Sequence, residues 1–196
     1  MQLKLLRLTI IIVLVTINLN CKHGNSSDSA EIFLLAIENS VKSLPPPAPP
    51  NIGDSTITIS QKKIDSITKI RLNIAVSSDI INPIGAPPEL KGHEDYVSIV
   101  EKLFDGKKQK LNLDFSSLKS FHDITLVDSN YERKKIFKKF NVIVSFSDIS
   151  LNNSKDKAAL IFRESYGKLS GTEILYLLAK VNGNWKVIQS KTLSLA

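Results

Sequence analysis

Cysteine is nearly missing from this 196-residue chain, with one copy, Cys21, close to the N-terminus. That excludes an internal disulfide framework and any multi-cysteine zinc site. Histidine is scarce as well. His23, His93 and His122 never stand at metal-ligand spacing, and His93-Glu94 lacks the second histidine of an HExxH helix. No serine sits in GxSxG, and no glycine-rich loop ends in GK[ST], so neither a nucleophile elbow nor a phosphate loop is encoded; Gly167–Gly171, GKLSG, reads as a turn between strands. Aromatic residues make up only 7% of the chain and form no stacking platform beside its basic runs, which argues against nucleic-acid binding. What is present is ordinary: 42% hydrophobic, 23% charged and a net charge of +7. Such values fit a globular protein with one main domain and allow attraction to anionic lipid or an acidic polymer.

The N-terminus carries the most specific pattern. Lys4 and Arg7 are the only charged residues before Cys21, and the run Leu8–Leu19 is dominated by Ile, Leu and Val. A basic start followed by twelve mostly apolar residues has the build of a signal peptide and is short for a span, which needs about 20. The cysteine directly after it resembles the lipobox of bacterial lipoproteins, although Asn18, Leu19 and Asn20 depart from the usual leucine and small residue. The resemblance implies cleavage before Cys21, acylation of its sulfur and attachment to a membrane of the cell envelope, on the periplasmic side or at the cell surface. Cleavage removes Lys4 and Arg7 and lowers the net charge to +5. Two or three acyl chains, such as palmitate, hold a protein on a bilayer where one does not.

Beyond residue 20 the chain divides at about residue 55. Lys22–Ser29 is small and polar and reads as a tether; Ala30–Val41 is expected to be a helix, N-capped by Asp28 or Ser29, packing on the domain or on a partner. Pro45–Pro50 contains five prolines and is a stiff spacer spanning about 19 Å. Residues 21–54 thus form a lipidated tether, helix and linker, and residues 55–196 a single domain. Within it, Thr56–Ser60 and Ile70–Val76 alternate as strands, the latter with Ile70, Leu72, Ile74 and Val76 on one face. A helix is expected over Gly92–Phe104, burying Tyr96, Val97, Val100, Leu103 and Phe104. Leu111–Phe121 is a short helix or turn, Ile124–Val127 a strand, and Tyr131–Phe140 a basic helix or the approach to a strand.

From Val142 onward the pattern is that of a four-stranded antiparallel meander: Val142–Ile149, Ala158–Tyr166, Thr172–Val181 and a last strand after Asn182-Gly183. Asn-Gly between apolar runs is the strongest short hairpin signal, because both residues of a type I′ turn take positive φ. The expected fold is α+β, an antiparallel sheet covered on one face by a few helices, with an NTF2-like or cystatin-like cone as its analogue.

Leu160, Gly167, Leu169, Gly171, Tyr176, Leu177, Leu178, Lys180, Asn182, Gly183 and Trp185 form a GxLSG…YLLxKxNGxWK motif. It resembles the C-terminal part of a group of uncharacterised bacterial lipoprotein-type proteins, which implies a shared fold and no activity. Tyr166, Tyr176 and Trp185 are candidates to line a ligand pocket, against the reading as cross-strand packing pairs. His122 and Asp123 are adjacent, but neighbours on a strand face opposite ways, which disfavours a base and its orienter. Lys107, Lys108 and Lys110, then Arg133, Lys134, Lys135, Lys138 and Lys139, read as a solvated basic face or a contact for headgroups or an acidic envelope polymer. No catalytic, cofactor-binding or metal-ligating residue is nominated. The expectation is a membrane-anchored envelope lipoprotein serving as a non-catalytic binding module, with an envelope protein or acidic polymer as partner and no nucleic acid. The alternatives are a small pocket-bearing hydrolase and a structural subunit of an envelope assembly; oligomeric state is not encoded legibly.

Overall fold

The computed structural model describes residues 24–41, 70–105, 120–128, 131, 133–167 and 170–195. The signal segment, Cys21, the proline run, Thr56–Ser60, Leu111–Lys119 and Lys107–Lys110 lie outside the described residues. The elements in chain order are α1 (Gly24–Ser40), β1 (Asn73–Ser77), a 3-10 turn (Glu94–Tyr96) leading into α2 (Val97–Phe104), β2 (Asp123–Val127), α3 (Arg133–Lys139), β3 (Val142–Phe146), the two-residue β4 (Ser150–Leu151), β5 (Lys157–Gly167), β6 (Ser170–Val181) and β7 (Asn184–Leu195).

The fold is α+β, with one seven-stranded sheet in the order β2-β1-β3-β5-β6-β7 and β4 paired on β5. Its C-terminal part is the expected antiparallel meander, in which β3, β5, β6 and β7 pair in turn. Asn182 and Gly183 have φ of 54° and 82°, the left-handed conformations a two-residue hairpin needs. The other half departs from the expectation of a purely antiparallel sheet: β1 runs parallel to both β2 and β3. Parallel neighbours require a crossover, and α2 and α3 lie in the two connections that provide it.

Helices cover both faces of the sheet rather than one. Alternate strand residues sort cleanly: Ile74, Val76, Val142, Val144, Leu160, Phe162, Tyr176 and Leu178 pack with Ile32, Phe33, Ala36 and Ile37 of α1. Their neighbours Ala159, Ile161, Leu175 and Leu177 pack with Ile99, Val100 and Leu103 of α2, while Ala75 and Val127 meet Ile136 and Phe140 at α3. A strand covered on both faces has no polar side, which is why β5 carries the unbroken run AALIF.

One helix boundary and one buried stripe are corrected by the structure. α1 begins at Gly24, so six of the residues read as tether are helical, and neither Asp28 nor Ser29 is its N-cap. The side chain of Asp28 is used elsewhere, on Lys180 Nζ at 2.7 Å. The helix packs on the domain, one of the two expected arrangements, and is part of the sheet's core: Ala36 and Ile37 are fully buried, and the Phe33 ring meets Phe146 edge-on at 4.5 Å. Burying an aromatic or large aliphatic side chain is worth about 1.5–3 kcal/mol, so this layer is a main stabiliser. Across the 3-10 turn and α2 the buried stripe is Tyr96, Ile99, Val100 and Leu103, with Val97 exposed and Phe104 half-buried. The phase is set by Tyr96, whose hydroxyl donates to the Leu178 carbonyl at 3.0 Å.

Candidate functional site

Alternation along β5 sends Phe162, Glu164 and Tyr166 to the face that α1 covers. Glu164 is only 4% exposed, which is unusual for a carboxyl side chain. The Tyr166 hydroxyl donates to its Oε2 at 3.2 Å. Burial pushes the Glu164 carboxyl up to about 7, with the Tyr166 hydrogen bond pulling the other way. Nearby, Tyr176 and Ser40 share a 2.6 Å hydrogen bond that ties the last turn of α1 to β6. Burial raises the Tyr176 hydroxyl above its ordinary range, against the Ser40 hydrogen bond, and the Glu164 charge raises it further. These four residues form two polar pairs on the α1 face of the apolar core, with Glu164, Tyr176 and Ser40 buried and Tyr166 half-buried, and the carboxyl exchanges a proton near neutrality.

The aromatic residues nominated for a pocket are placed in this core. Tyr176 and Trp185 are both buried, and half-buried Tyr166 packs against the same cluster. Trp185 lies beneath Lys180, whose ammonium sits 5.1 Å from the indole centroid while also pairing with Asp28. Lys180 and Trp185 are register partners flanking the Asn182-Gly183 turn. The backbone amide of Trp185 donates to Glu31 of α1 at 3.2 Å. Gly171 has its own packing reason, since an added Cβ would come within 3.0 Å of the Glu164 carbonyl oxygen. The described residues of the C-terminal motif therefore hold the hairpin together and fasten α1 to it.

His122 and Asp123 do not act as a pair. His122 Nδ1 accepts the Leu72 amide at 3.3 Å, and burial lowers its pKa, which favours the neutral ring. Asp123 instead bonds Arg71 at the surface. Glu164 was not singled out from the sequence, because Arg-Glu-Ser-Tyr at the end of an apolar strand reads as its passage into solvent. Its burial depends on α1, which is distant in the chain.

Two open grooves lie on the α2 face, on either side of Pro88. One, about 480 Å³, is lined by Val97 and Val100 of α2 together with Glu89, Lys91, Glu94 and Glu101. The other, about 400 Å³, is bordered by Ile84, Phe104, Leu193 and the Arg163–Glu173 ion pair. Lys191 Nζ holds the loop between them by donating to the Glu89 carbonyl at 2.7 Å. The basic side chains whose position is described on α3, Lys138 and Lys139, are exposed, with Lys139 over the Phe140 ring. Among the described residues no group of three His, Cys, Asp or Glu side chains converges as a metal site, and no helix is long and apolar enough to cross a membrane. Comparison with family models, characterised proteins and solved structures returns no match for the chain.

Proposed function

We propose that this protein is an envelope lipoprotein, held to its membrane by acyl chains on Cys21, whose α+β domain is a non-catalytic binding module. The observation that carries the reading is the position of the sole cysteine, between the apolar run Leu8–Leu19 and a helix that begins at Gly24 and is built into the core. An acyl anchor there is joined to the folded unit itself. The binding role is supported by where the open space lies: the grooves beside Pro88 are on the surface, while the core between α1 and the sheet is filled by large side chains. The exposed lysines of α3 suit an acidic envelope polymer, and the grooves suit an envelope protein.

The test is fractionation of the Cys21→Ser variant. A shift from the membrane to the soluble fraction, with loss of the acyl mass, supports the anchor; retention in the membrane at unchanged mass contradicts it. Crosslinking in native envelopes followed by pull-down identifies the partner. A hydrolase is the second reading, favoured by the Glu164 carboxyl near 7, a value suited to general acid–base work. Turnover of ester or glycoside substrates that disappears in Glu164→Gln would support it.

A further inference from the structure

The direction of α1 across the sheet determines which end of the domain meets the bilayer. Near its start, Asp28 reaches Lys180 and Glu31 accepts the Trp185 amide; at its last residue, Ser40 meets Tyr176. Lys180 and Trp185 flank the Asn182-Gly183 turn, whereas Tyr176 lies four residues back along β6, about 13 Å away at strand spacing. The helix thus runs from the hairpin end toward the opposite end of the sheet. Cys21 precedes Gly24 by three residues, a reach of at most about 11 Å whatever their conformation. Four helical residues from Gly24 to Asp28 add about 6 Å. The far end of the sheet is beyond that range, because β7 alone runs ten residues from Asn184 to Ser194, about 30 Å.

We infer that the end of the domain formed by the Asn182–Asn184 hairpin and the Asn152–Lys157 turn is the surface that faces the lipid headgroups, and that the end carrying Glu164, Tyr166 and His122 faces away. This inference rests on the reading of Cys21 as the membrane anchor. The chemistry of the surface agrees with it. Asn153, Ser154, Lys155, Asn182, Gly183, Asn184 and Lys186 are all exposed, a polar surface suited to hydrated headgroups rather than insertion. Of the acidic groups at this end, Asp28 and Asp95 pair with Lys180 and Lys157, Glu31 accepts the Trp185 amide, and Asp156 of the turn accepts from the Asn152 side-chain amide at 2.6 Å. A ligand taken up at the opposite end or in the groove at Ile84 and Leu193 would then approach from the aqueous side.

Full-length protein purified from membranes and reconstituted in phosphatidylethanolamine–phosphatidylglycerol vesicles provides the test. With Cys21 acylated, a cysteine introduced as Asn184→Cys or as Ser194→Cys is the only free thiol and takes a fluorophore. Vesicles containing a headgroup-nitroxide lipid should quench the label at 184 several-fold more strongly than the label at 194. Inserting ten Gly/Ser residues between His23 and Gly24 adds about 17 Å of mean reach and should abolish that difference. Equal quenching at both sites, or stronger quenching at 194, in a vesicle-bound protein overturns the orientation alone. A free Cys21 thiol in protein that does not bind vesicles overturns the anchor and the orientation together.

Discussion

Replacing Glu164 by glutamine keeps the shape of a buried side chain and removes its titration. In the folded protein the carboxyl holds its proton up to about pH 7, whereas its ordinary value is 4.5. Between those values the folded state binds more protons than the unfolded chain, so stability is greatest below pH 4.5 and falls as pH rises to about 7. At 1.36 kcal/mol per unit the whole effect is about 3 kcal/mol. Glutamine has no such loss, and its amide oxygen can still accept from Tyr166, so any cost of the exchange is a constant offset. The variant should therefore gain on the wild type by about 2–3 kcal/mol between pH 5 and pH 8. His122 acts in the opposite sense. Burial lowers its pKa, so its contribution is present above the ordinary value of 6.5 and lost as pH falls. It is common to both proteins and cancels in the difference. Urea unfolding followed by fluorescence of Trp185, the single tryptophan, measures both across this range. A difference that stays constant with pH, or one in which the wild type gains, would refute the buried-carboxyl assignment.

Three further outcomes are expected. Phe33→Ala opens a void against Phe146 and should cost about 3–5 kcal/mol by denaturant unfolding; a change under about 1 kcal/mol would return α1 to the linker. A double-mutant cycle on Asp28 and Lys180, whose side chains are both about one-third exposed, should give a coupling of about 0.5–1 kcal/mol that weakens in high salt. Gly183→Ala forces a Cβ into φ of 82° and should lower stability by about 1–2 kcal/mol, whereas the same exchange at Gly167, where added atoms meet open space, should cost less in the same thermal melts.

The C-terminal half was readable because its signals are local. Asn182-Gly183 needs no distant partner to specify a hairpin, and the alternation of Val142, Val144 and Phe146 marks the α1 face directly. The layer arrangement was not readable, since AALIF shows that β5 is buried without showing that α1 and α2 lie on opposite sides of it. Register was hidden by two irregularities in β7, one between the partners of Leu177 and Leu178 and one between those of Glu173 and Ile174. The first leaves Ile188 as an extra residue and reverses which side chains face inward, so Trp185 and Leu193 join different clusters despite their even spacing. The start of α1 was misplaced because Gly-Asn-Ser-Ser is a poor helix former. Contacts of Asp28 and Glu31 with the hairpin, more than 150 residues later, support that first stretch of helix. Glu164 was missed for the same reason: its environment is assembled by elements far away in sequence.

The central claim is that the chain is anchored through Cys21, close to the start of the core helix. Intact-mass analysis of the protein extracted from native membranes tests it most directly. The account predicts a polypeptide that begins at Cys21 and carries the mass of two or three acyl chains. A chain that retains its first twenty residues, or one with an unmodified Cys21 thiol, would contradict it.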